Sequence, residues 1–156
     1  MYLWMKALHI FAVVIFLGNI ITGVFWHRHA ARTRDPRLLA HTVDGVIQSD
    51  RLFTMPGIFV IVGTGVYAAM QAGLPLLGTG WILWTLILFG ISGLMFMFFV
   101  APLQKKLRAL AQEGTAKGSF DYDAYHRLAT RWEITGTIAT LTPLIGLVLM
   151  VVKPSL

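Results

Sequence analysis

The sequence predicts an all-α integral membrane four-helix bundle, with both termini outside and two basic cytoplasmic connectors that carry helical extensions. Three observations lead there. Of the 156 residues, 56% are hydrophobic and 13% charged, where soluble domains average about 45–50% and about 25%; the mean hydropathy is +0.70. Four apolar runs occur, at 3–26, 52–72, 81–100 and 134–152, each long enough to cross a hydrocarbon core of about 30 Å at about 1.5 Å per residue. The bases are distributed asymmetrically. Arg28, Arg32, Arg34, Arg37 and Arg51 fall between the first and second runs. Lys105, Lys106, Arg108, Lys117, Arg127 and Arg131 fall between the third and fourth, and the connector GLPLLGTG at 73–80 has no charge. Short basic loops stay on the cytoplasmic side, which sets the orientation.

The same numbers exclude a soluble globular enzyme and a disordered chain. The absence of Cys removes disulfides, thiolate metal sites and cysteine nucleophiles. The formal charge of +6 carries no nucleic-acid message, because eleven of the 13 bases lie beside apolar runs, where they suit the bilayer surface and anionic lipid headgroups.

Each element follows in order. The first run, LWMKALHIFAVVIFLGNIITGVFW, lacks a basic leader and a cleavage motif and reads as a retained helix. A helix with Pro36 or Arg37 in its first turn leads into the second run. The third run continues through LQKKLRALAQE until Gly114. Ser119 or Asp121 caps a further helix, SFDYDAYHRLATRWE, that runs into the fourth. Trp26 and Trp132 are expected at the inner headgroup level and Trp4, Trp81 and Trp84 at the outer one. With no repeat or linker, residues 1–156 read as one transmembrane four-helix domain of a multi-pass protein of the bacterial inner membrane.

Ionisable groups within or at the ends of spans mark functional sites by default. Lys6, His9 and Glu133 are the three such groups at depth. His9 offers an imidazole for haem iron, copper or zinc, or for proton relay. Lys6 lies three residues away on nearly the same face, and Lys153 lies at the same membrane level, so both suit the propionates of a haem b held by His9. The alternative is that the lysines snorkel to the interface and His9 hydrogen-bonds a neighbouring helix. Met5, Met70 and Met150 offer thioethers near that level, or core packing. Glu133 is expected to pair with Arg131, Arg127 or Arg51. With Thr137 and Thr140 it forms a polar stripe on one face of the fourth helix, for a proton path or for helix packing around Pro143. Asn19, near mid-span, requires a partner across a helix interface. His27, His29, His41 and His126 lack zinc-site spacing and are expected to be solvated. No nucleotide loop or catalytic Ser/His/Asp set occurs, so no catalytic residue is assigned. The glycine pairs, such as Gly90 with Gly93, suit tight packing, a homo-oligomer face or room for a flat cofactor, and a membrane-complex partner is a further expectation.

The segments WMKALHIFAVVIFLGN, SDRLFTMPGIFVIVGTG, GWILWTLILFGISGLMFMFFVAPLQKKLRALA and RWEITGTIATLTPLIGLVLMVVKP resemble a bacterial four-helix integral membrane family of the domain-of-unknown-function 2269 type. Its D-x-L-F-T-x-P segment and terminal K-P are the most specific parts. The family is distantly similar to the HemJ-type protoporphyrinogen oxidases and the CopD-type membrane domains. The HemJ resemblance implies haem b at His9 and matches Lys153 to the terminal lysine. The chain departs from that pattern at Thr85, Gly136 and Thr137. The resulting expectation is a haem- or porphyrin-binding membrane protein with a redox or tetrapyrrole role. The alternatives are a non-enzymatic accessory subunit and a small-solute or copper-related membrane module.

Overall fold

The computed structural model describes residues 1–155; Leu156 lies outside them. The described chain is all helical, with α1 (Tyr2–Ala31), α2 (Pro36–Ser49), α3 (Met55–Gln71), α4 (Gly80–Met95), α5 (Ala101–Lys117) and α6 (Tyr122–Val152). Residues 50–54 and 96–100 are π-helical turns that join α2 to α3 and α4 to α5. The chain therefore has four continuous helices long and apolar enough to cross a membrane. Phe11, Phe59, Phe98 and Val148 are among many large apolar side chains left exposed on their outer faces. A soluble surface does not carry apolar patches on that scale, so these faces meet lipid.

Both π turns have a local cause. Pro56 and Pro102 stand at the second residue of α3 and α5. A proline has no N–H to donate, and its ring collides with the carbonyl four residues back. The helix absorbs the defect by widening one turn just before the proline, and it continues without a break. Arg51 and Asp50 thus lie inside a continuous helix rather than in a loop between two helices.

Caps define the remaining ends. Asp35 accepts from the Arg37 backbone N–H at 2.8 Å, with Pro36 as the first residue of α2. Asp121 accepts from Ala124 N–H at 2.9 Å and caps α6. α5 does not stop at Gly114. It runs to Lys117 and ends at Gly118, whose φ of 65° is the left-handed conformation that terminates helices. Gly114 has a different use: it lies inside the helix, and Phe120 packs where its side chain would be.

The long helices are paired unevenly. Toward the chain termini, α1 packs on α3 and α4 packs on α6, and the two pairs meet through side chains such as Phe16 and Phe89, whose rings lie 5.5 Å apart. Toward the basic connectors, α2 packs on α5, and both α1 and α6 join them. The core at this basic end is close to sealed: Leu39, Leu107 and Ala111 have no exposure, and Tyr125 and Trp132 are buried beside them. The core at the terminal end is smaller, built from Ala12, Phe16, Leu17 and Ile61.

Candidate functional site

A carboxylate lies where the two regions meet. Asp50 opens the first π turn and is buried. Asn19 Nδ2 of α1 donates to Asp50 Oδ1 at 3.1 Å and to Thr54 Oγ1 at 2.9 Å. Thr54 Oγ1 donates to Asp50 Oδ1 at 2.8 Å, and Gln104 Nε2 of α5 donates to Asp50 Oδ2 at 2.9 Å. Asn19 thus finds the cross-helix partner its mid-span position requires. Asn19 lies seven positions before Trp26 on α1, which puts the cluster about 10 Å inside the end of the first apolar run. Every donor to Asp50 is neutral. Among the described residues no Lys, Arg or His forms an ion pair with it.

Asn19, Asp50, Thr54 and Gln104 all line a cavity of about 210 Å³. The rest of its wall is mostly apolar and aromatic, with Phe16, Phe89, Phe96 and Trp132 among the lining residues. Gly93 and Gly136 also face it, and a β-carbon on either would meet nothing within 4 Å. The missing side-chain volume on α4 and α6 helps to hold the cavity open.

The second polar cluster closes the basic end. His27 is fully buried and is held between Tyr125 and Glu133. Glu133 Oε1 is an acceptor beside His27 Nδ1, which favours the proton there, so the Tyr125 hydroxyl, kept protonated by burial, is the donor to His27 Nε2 at 3.0 Å. Nδ1 of the imidazole is 3.4 Å from Glu133 Oε1, a charge contact without a formed hydrogen bond. Arg28 Nε binds the other oxygen of Glu133 at 2.9 Å. The sequence expectations here need correction. Glu133 pairs with Arg28 and His27, not with Arg131, Arg127 or Arg51. His27 is not solvated. Trp132 does not present its ring to headgroups: it is buried edge-on to the His27 ring at 4.9 Å, and its Nε1 has no hydrogen-bond partner. His29, His41 and His126 are exposed. Among the described residues, no three His, Asp or Glu converge on a metal-sized site.

The residues singled out from sequence near the termini lie in a third place. His9 Nδ1 is 2.9 Å from the Ile61 carbonyl and 3.2 Å from Thr64 Oγ1. The Thr64 hydroxyl is already committed as a donor to Val60 O, so both neighbours accept and Nδ1 carries the proton. Nε2 then holds the lone pair, and it makes no hydrogen bond among the described residues. Gly65 permits this seat, since a β-carbon there would fall 3.0 Å from His9 Cε1. Lys6 is exposed, and Lys153 places its ammonium 5.5 Å over the Trp81 ring. His9 does not line the cavity around Asp50. Met70 is exposed on the outside. Thr137 and Thr140 return their hydroxyls to the carbonyls of Glu133 and Gly136. With Arg28 and Arg32 they line a more open groove of about 520 Å³ between α1 and α6.

Sequence reasoning missed Asp50. Its signals were present: Asn19 lacked a partner, and the D-x-L-F-T-x-P segment begins at Asp50.

Four apolar, membrane-length helices and this lipid-facing surface define an integral membrane protein. The chain belongs to the DUF2269 family of predicted integral membrane proteins, whose family model matches residues 3–154. No curated protein and no solved structure matches it.

Proposed function

We propose that the protein is a small-solute module of the bacterial inner membrane, with its basic end in the cytoplasm against anionic lipid headgroups, and that Asp50 is its charge-exchanging group. One observation carries this reading: a buried carboxylate, hydrogen-bonded only by neutral donors, borders a cavity within the span. A lone charge in that setting is expensive. Its energy falls when it takes a proton or a cationic partner, and exchange between those two states is what such a group does chemically. The test is an infrared pH titration of the protein in lipid nanodiscs. The expected result is a carboxyl band that comes and goes with pH and is missing in Asp50→Asn. Identical spectra for the two proteins at every pH would overturn the reading.

A second reading has its own support. In it, His9 binds the iron of a haem b or related porphyrin through Nε2, with Lys6 and Lys153 near the propionates. A metal-ligating histidine usually donates its other ring N–H to a carbonyl or carboxylate, and the His9–Ile61 bond is of that kind. Haem would supply one-electron redox chemistry; the chain's part is to orient the imidazole and fix its tautomer. Purification from haem-replete cells should then give a Soret band that disappears in His9→Ala. A colourless, well-folded protein would overturn this second reading and leave the first intact.

A further inference from the structure

We propose that the cavity beside Asp50 binds an apolar organic monocation, an aryl- or alkylammonium, with Asp50 as its counter-ion. This rests on Asp50 being the charge-exchanging group and adds what it exchanges with. Three features of the cavity select the class. The first is charge: one carboxylate with no cationic side chain paired to it among the described residues leaves room for a single positive charge. The second is the wall. Phe16, Phe89, Phe96 and Trp132 present aromatic surface, which attracts an ammonium group through ring quadrupoles and shelters an apolar body. The third is size: about 210 Å³ is below the roughly 300–1,000 Å³ of drug-sized sites, so the ligand has few heavy atoms.

A metal cation fits less well. Hard cations require six or more oxygen ligands to replace their hydration shell, and the groups next to Asp50 are arranged as donors, with Asn19, Thr54 and Gln104 all pointing hydrogens at the carboxylate. An ammonium needs fewer partners and brings its own donors.

The test uses the full-length protein in lipid nanodiscs and two probes of nearly the same shape, 2-phenylethylammonium and the neutral 2-phenylethanol, with binding followed by calorimetry. The expected result is saturable binding of the cation, roughly tenfold or more tighter than the alcohol, the size of one charge-assisted contact. Asp50→Asn should erase the preference. Gly136→Leu, which fills the cavity and leaves Asp50 in place, should abolish binding of both probes while the infrared carboxyl band remains. Equal affinity for the two probes, or no binding of either, overturns the inference. If the Asp50 band still titrates in that case, Asp50 is a proton site and the proposed function stands. If the band is absent as well, both fall. Tighter binding of sodium or potassium than of the organic cation would also overturn the inference, in favour of an inorganic ion site.

Discussion

The two ends of this molecule solve the same packing problem differently. At the basic end, four helices close around Leu39, Leu107, Ala111 and Tyr125 until nothing is exposed. The charged groups beside that core are paired: His27 and Arg28 meet Glu133, and Arg108 meets Asp44 at 3.0 Å on a part-exposed edge. Within the span, two helix pairs touch through side chains such as Phe16 and Phe89, small residues such as Gly93 and Gly136 face the cavity between them, and Asp50 is left with neutral partners only. The difference teaches where function belongs. The sealed end resembles the core of a soluble helical domain and holds the bundle together. The open region gives up packing for a cavity with a charge beside it.

A single matched substitution separates the two regions. Gly114→Ala at the sealed end places a β-carbon 2.5 Å from Phe120 Cδ2 and 3.1 Å from its Cβ, so the whole side chain must move. The expected cost is about 1–3 kcal/mol of stability, read as a lower unfolding temperature in detergent. The same change at Gly136 meets open space. It should gain about 0.5–1 kcal/mol from helix propensity. Equal effects at both positions would break the comparison.

Tyr125→Phe probes the polar part of the sealed end. Removing the hydroxyl leaves His27 Nε2 buried without its donor, at an expected cost of about 1–3 kcal/mol. Its pH dependence has a definite sign. Burial raises the folded-state value of the phenol above the unfolded value of about 10. The fold therefore keeps a proton that the unfolded chain releases. Its contribution is full below about pH 10 and is lost as pH rises through the folded value. Unfolding midpoints measured from pH 8 upward should fall more steeply for the wild type than for Tyr125→Phe. At the far end of the scale, Lys117→Ala breaks an exposed pair with Glu113, one helical turn away. Its unfolding midpoint should match the wild type, because solvent screens such pairs.

Much of the architecture was legible in the sequence, but the sites were only partly so. Four apolar runs predict four spanning helices, since the length and hydrophobicity of a span are local properties. Asp121 as a cap was equally readable, because capping acts over three residues. The charge at position 50 left only indirect signs, the unpartnered Asn19 and the D-x-L-F-T-x-P segment. Beside Arg51, at the edge of an apolar window, Asp50 looks like an ordinary connector residue; the proline-induced π turn that carries the helix through it is needed to see otherwise. His27 was misjudged for the same kind of reason. Its neighbours in sequence are charged, and its partner Tyr125 lies 98 positions away. Gly114 was read as a helix end because its close contact with Phe120 depends on how the chain turns back at Gly118.

The sequence by itself determined the all-helical class, the membrane as solvent, and the gathering of positive charge at one end. Hydropathy and composition act along the chain and need no knowledge of neighbours. Only the tertiary structure decided that α1, α2 and α5 bring Asn19, Asp50, Thr54 and Gln104 together, that the helix pairs leave a cavity there, and that Asp50 receives no cation of its own. Burial and electrostatic pairing depend on contacts between residues distant in the chain, and these exist only once the helices have packed.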